Sequence, residues 1–156
     1  MNNNIWNLSK DDILPSLRLS YQYLPSYLKR CFAYCSIFPK GYPIDRKQMV
    51  LLWMAQGFLE HSMVEKAEEE VGNEYFTELL SRSLIEQLND DTDGERFVMH
   101  CLVHDLATIV SGKSCSKLES GRGRIHHFLY HQEEYDLYKK FEIVDDFECL
   151  RSFLSI

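Results

Sequence analysis

The chain has 156 residues, 45% of them hydrophobic and 13% aromatic, with a formal net charge of −7 at neutral pH. That is room for one compact domain plus a shorter piece, and enough apolar content for a packed core, which excludes wholesale disorder. The negative balance and the lack of any long Lys/Arg run argue against non-specific binding to nucleic acid or an anionic membrane, and no apolar run approaches the ~20 residues of a membrane span.

Residues 1–8 read as a tail with neither the positive start nor the apolar stretch of a secretory signal. Cysteines at 31, 35, 101, 115 and 149 form an odd set. Without a signal they read as reduced thiols of a cytoplasmic chain, not as a disulfide framework. Pro15 and Pro25 each precede a helical pattern, a position that suits proline. After Pro15, Leu17, Tyr21 and Leu24 share a face. After Pro25, Leu28, Cys31, Phe32, Cys35 and Phe38 recur at helical spacing. Pro39 to Pro43 then breaks the chain into a turn.

The next helix has the clearest start signal. Asp45 is its expected N-cap with Gln48 three residues on, and Ile44 and Met49 are placed for a hydrophobic staple. Met49, Leu52 and Trp53 line its inner face, and Gly57 is placed for a left-handed C-terminal cap. A fourth helix is expected after a capping pattern at Ser62 and Glu65, with acidic residues in its first turns and Val71, Tyr75, Phe76, Leu79 and Leu80 inward. The runs 84–88 and 97–99 flank the polar stretch Asn89 to Arg96 and predict a β-hairpin. A fifth helix begins near His100, with Leu102, Val103, Leu106, Ala107 and Val110 inward, and stops at Gly112. On that reading His104 and Asp105 fall on its outer face. The predicted core is Phe32, Cys35, Phe38, Leu52, Trp53, Phe76 and Leu79. Residues 111–123 are rich in Gly and Ser, and Arg124 to Tyr130 and Leu150 to Ile156 are candidate strands.

Four patterns invite a chemical reading. Residues 107–114 (ATIVSGKS) imitate a phosphate loop, but such a loop follows a strand, and this one ends a helix. Residues 89–94 imitate the start of a calcium loop, yet the twelfth position is His100, where a bidentate Glu is required. Cys31/Cys35 and His100/His104 have i, i+4 spacing. The cysteines, however, fall on an aromatic-rich apolar face, where thiols act as small hydrophobes, so no metal site is expected. Cys101 beside His100 suggests a thiol nucleophile, but no orienting third group can be named, so no enzyme activity is expected.

Three segments taken together carry a stronger message: CFAYCSIFPKGY at 31–42, WMAQGFL at 53–59, and Met99-His100-Cys101. In that order they resemble the winged-helix subdomain closing the nucleotide-binding module of plant disease-resistance receptors, the nucleotide-binding, leucine-rich-repeat (NB-ARC-LRR) family of the coiled-coil type. The resemblance implies a mainly α fold: a winged helix with a small β-hairpin wing over 9–112, a linker at 113–123, and the β-containing start of a leucine-rich repeat region over 124–156. The phrase FECLRSFLSI carries the last part. One incomplete repeat cannot bury its own face, so this tail is expected to be poorly ordered by itself.

The resemblance implies that His100 contacts the phosphates of bound ADP in the intact receptor and latches the winged helix to the nucleotide-binding domain. The chain carries no phosphate loop or Mg-binding Asp strand of its own, so it is expected to bind no cofactor in isolation. Its implied partners are the nucleotide-binding and repeat domains of the same receptor, within one molecule. Two other readings compete: a DNA-binding winged helix and a protein-interaction adaptor. Only Arg46 and Lys47 near the start of the candidate recognition helix support the first, and the acidic helix at 65–78 supports the second. The sequence also departs from the family triplet Met-His-Asp, having Cys101 where Asp is expected. An Asp at a helix start accepts hydrogen bonds from open amides and complements the dipole, and a thiol does both poorly.

Overall fold

Residues 15–59, 66–88, 95–112, 115–117, 127–130 and 152–155 are described by the structure, a computed structural model. Helix α1 (Pro15–Gln22) lies on the surface with Leu17 and Tyr21 half-buried, and Leu24 beyond it is buried. Helix α2 (Ser26–Tyr34) has Pro25 at its N-cap and drives Leu28, Cys31 and Phe32 into the core. The expected α-helical stripe does not run on to Phe38. A 3-10 turn covers Cys35–Ile37, and Phe38 is extended at ψ 153°. Proline disfavours the α region for the residue before it, and Pro39 follows Phe38. Phe38 is still buried, so the corner keeps the inward stripe with a different backbone.

Strand β1 (Ile44–Asp45) leads into helix α3 (Arg46–Ala55), where the Asp45 carboxylate accepts from the Gln48 amide at 2.7 Å. Ile44 and Met49 are both buried, as a staple requires. Gly57 has φ +64°, with its amide on the Met54 carbonyl and that of Phe58 on Trp53, the paired bonds of a Schellman cap. Helix α4 (Glu68–Ser81) starts later than expected. Its N-cap is Ala67, without a side-chain bond, and Glu68, Glu69 and Glu70 supply the negative first turn. The capping pattern expected at Ser62 and Glu65 lies outside the described residues. Helices α3 and α4 pack closely at Gly72, where an added Cβ would stand 2.5 Å from a Val50 methyl.

The hairpin forms from β2 (Glu86–Gln87) and β3 (Arg96–Val98), antiparallel, while its tip at 89–94 lies outside the described residues. A third strand, unforeseen from periodicity, joins it. β1 pairs with β3 through Ile44 and Phe97, giving the antiparallel order β1-β3-β2. Helix α5 (Cys101–Ser111) follows and ends at Gly112 with φ +58°. These helices and the small sheet make the mainly α winged-helix architecture that the sequence predicted. Trp53, Tyr34, Phe32, Phe76 and Phe97 are the largest fully buried side chains, whereas Leu52 is only half-buried, unlike its expected place in the core.

Within the Gly/Ser-rich stretch, residues 115–117 form strand β4 (Cys115–Lys117), an element the sequence reading did not foresee. β4, β5 (His127–Tyr130) and β6 (Ser152–Ser155) build a parallel sheet in that order. The two predicted C-terminal strands are thus present, and the first borrows the winged-helix core. Leu129 is buried in that core, and His127 sits edge-on to Tyr34 at 4.9 Å between centroids.

Candidate site at the start of helix α5

Met99, His100 and Cys101 lie where strand β3 turns into α5. Met99 is buried and anchors the turn, while His100 and Cys101 are exposed. His100 is the N-cap: its Nδ1 accepts from the Leu102 amide at 3.3 Å, satisfying one of the helix's open donors. With Nδ1 occupied as an acceptor, the ring proton of a neutral His100 is on Nε2, free to donate outward. The exposed imidazole therefore caps its own helix with one nitrogen and presents a donor with the other. It does so beside open amides and the positive end of the dipole, chemistry that suits an oxyanion.

Cys101 occupies the first helical position, one residue past the cap, so the capping acceptor is His100. The Cys101 Sγ lies 3.7 Å from His100 Nδ1, closer than adjacency alone required. That nitrogen already serves the Leu102 amide, and among the described residues no third group is hydrogen-bonded to the pair. Lys40, from the turn after α2, pairs with Asp105 at 2.6 Å, and that carboxylate raises the lysine ammonium above its ordinary value. Both partners are substantially exposed, so the pair adds little stability.

His104 is not on the outer face, as its sequence position suggested. It is buried, with Nε2 at 2.7 Å from the Phe38 carbonyl. The Phe38 carbonyl, left without a helical partner by the pre-proline turn, needs a donor, and the imidazole supplies it. No sequence period marks this, because the acceptor comes from another element. Asp105, beside it, keeps to the outer side of the helix, where it pairs with Lys40.

Residues 107–111 of the phosphate-loop imitation are the last turns of α5. The calcium-loop imitation lies outside the described residues. Among the described residues no cluster of three or more His, Cys, Asp or Glu is grouped to hold a metal. No disulfide joins Cys31, Cys35 or Cys101. On the candidate recognition helix, the Arg46 guanidinium lies over the Phe76 and Phe97 rings at 5.0 and 5.2 Å, so it serves the core in place of an outward phosphate contact. A shallow groove runs along α4, lined by Glu70, Asn73, Glu74, Thr77, Glu78 and Ser81, none of them on α5. No described helix is long and apolar enough to cross a membrane.

Cys31 is fully buried, and burial pushes its thiol up to about 12. The fold therefore favours the neutral thiol. Its contribution is complete below the unfolded thiol's ordinary value and is lost as pH rises from there toward 12. One pH unit above the ordinary value the loss is about 1.4 kcal/mol. Denaturant midpoints between pH 8 and 10.5, a range set by the ordinary thiol value, are expected to fall more steeply for wild type than for Cys31→Ala. Parallel slopes would show that the thiol does not titrate on unfolding.

Comparison with known proteins agrees with the winged-helix fold. Residues 37–107 match the winged helix domain of disease resistance proteins. The whole chain is similar to RPP13-like protein 1 of Arabidopsis thaliana, named as a disease resistance protein, at 43% identity over 163 residues. It is 47% identical over 106 residues to disease resistance protein RGA2 of Solanum bulbocastanum, covering 67% of this chain. It is 38% identical over 112 residues to disease resistance protein RPM1 of Arabidopsis thaliana, covering 68% of this chain. The chain spans 15%, 11% and 12% of the length of these three relatives.

Proposed function

From the premise that this chain belongs to the plant disease resistance proteins, as a segment bearing their winged helix domain, we propose that it is a regulatory part of an innate-immune receptor. In the intact receptor His100 contacts the phosphates of ADP, and the segment relays nucleotide state to the leucine-rich repeats. The observation that carries this reading is the start of α5. There an exposed His100 caps the helix through Nδ1 and holds Nε2–H outward, at the positive dipole end. These groups fit an anionic ligand, and bound ADP supplies only charge and shape to the latch.

Residues 9–112 act as the winged-helix unit in this proposal, 113–123 as the connection and 124–156 as the beginning of the repeats. The parallel pairing of β5 with β6 favours the last assignment, since stacked repeats align their strands in parallel. The setting is cytoplasmic and the partners are the nucleotide-binding and repeat domains of the same receptor. The chain itself has no catalytic role.

Two measurements test the reading. By itself the chain is expected to bind ADP with Mg no tighter than the high micromolar range, because a phosphate cradle, a Lys and a metal carboxylate must act together. Low-micromolar affinity in calorimetry would show a second site. Placed within an intact receptor, His100→Ala is expected to lower ADP retention, and unchanged retention would remove the proposed contact.

A further inference from the structure

Helix α5 is held to the corner at residues 35–38 by a polar seam inside an otherwise apolar contact. Near its start, His104 Nε2 meets the Phe38 carbonyl at 2.7 Å. Two turns later, Ser36 Oγ comes within 3.0 Å of Ser111 Oγ, while the one proton of each hydroxyl also faces a nearby carbonyl, Ser36 that of Ala33 at 2.7 Å and Ser111 that of Thr108 at 2.9 Å, so this is a polar contact weaker than the His104 bond. Between the two ties lies Ala107, fully buried, so the backbones approach closely. Residues 104, 107 and 111 fall on one face of a helix. Apolar contact alone is non-directional and tolerates sliding, whereas the His104–Phe38 hydrogen bond is directional and fixes the start of α5 against the corner, with the serine contact beside it.

The same corner also meets the C-terminal sheet. β4 and β5 lie against the Cys35–Ile37 turn, and Tyr34, just before it, holds His127 edge-on. His100 stands one turn ahead of His104 on the same helix.

We infer that His104 is a positioning residue: its bond to the Phe38 carbonyl sets the start of α5, and with it His100, relative to the corner that carries the parallel sheet. The inference deepens the proposed role of His100 and rests on that reading for its functional meaning. The physical claim concerns this chain and is tested without nucleotide. A loss of volume at residue 104 is not needed for the effect. His104→Leu removes the donor, and His104→Gln restores an N–H near the position of Nε2.

Amide hydrogen exchange read residue by residue separates positioning from general stability. In His104→Leu, the amides of 102–106 are expected to exchange at least tenfold faster, as one lost buried hydrogen bond implies. Amides of α3 and α4 around Trp53 and Phe76 are expected to change much less, and His104→Gln to recover most of the difference. Uniform acceleration through α3, α4 and α5 would reduce His104 to a stability residue and overturn the inference, as would no change. Should His104→Leu not fold, the wild-type imidazole decides the matter by nitrogen NMR. A proton on Nε2, slowly exchanging and coupled to the Phe38 carbonyl, supports the tie, and a proton on Nδ1 alone refutes it. ADP retention in the receptor is read separately, so failure of the His100 contact would leave the exchange result standing.

Discussion

Trp53→Ala is expected to cost about 3–5 kcal/mol, the usual range for removing a fully buried Trp. Trp53 is wholly enclosed on α3 with its ring 6.1 Å from Phe76, which in turn meets Phe97 of the sheet edge-on at 4.9 Å. This chain of rings joins α3, α4 and β3, so a void at Trp53 has rigid walls on several sides. The indole Nε1 is buried without a hydrogen-bond partner, and its deletion therefore strands no acceptor. The cost is the lost transfer energy plus a cavity that the walls cannot collapse into. Domains of this size hold only about 5–15 kcal/mol in total, so the variant is expected to be largely unfolded at modest denaturant. Trp53→Phe, which fills part of the void, is expected to fall between the two. Wild-type-like melting of Trp53→Ala would mean that α3 presents this face to solvent, as a recognition helix does.

Within an intact receptor of the family, replacing Cys101 by Asp is expected to tighten ADP retention about two- to fivefold. Position 101 is the first residue of α5, and His100 already serves as the cap. An Asp there gains dipole complementarity in place of a full capping bond, about 0.3–1 kcal/mol. The fold therefore lowers the gain anticipated from an acceptor at the helix start. Lys40, held nearby by Asp105, adds a positive neighbour for the new carboxylate. While the active state remains a small minority, a bias of that size multiplies its population by a similar factor. A receptor with Cys101 is thus expected to show higher basal signalling than its Cys101→Asp counterpart. Equal ADP retention and equal basal signalling in the two versions would sink this role for residue 101.

Much of the fold was legible in the chain because its determinants are local. The i, i+3, i+4 stripes of α2 and α4, the Asp45 cap and the Gly57 Schellman turn each depend on residues within one or two turns of each other. The hairpin and the two C-terminal strands also followed from short apolar runs, and the candidate site at Met99, His100 and Cys101 came from a motif in contiguous residues. Tertiary structure alone decided features whose partners are distant in sequence. β1 is two residues long, too short for any period, and exists because Phe97 offers Ile44 a ladder to join. Arg46, a solvent-facing charge by its place in the sequence, is drawn over two rings contributed by α4 and β3. His104 is the sharpest case. A polar residue on a helix reads as surface unless something across the core needs its proton, and here that is the Phe38 carbonyl, exposed by the proline that follows it. Local sequence sets which backbone groups are left without partners, and only the packing of distant elements decides which side chain satisfies them.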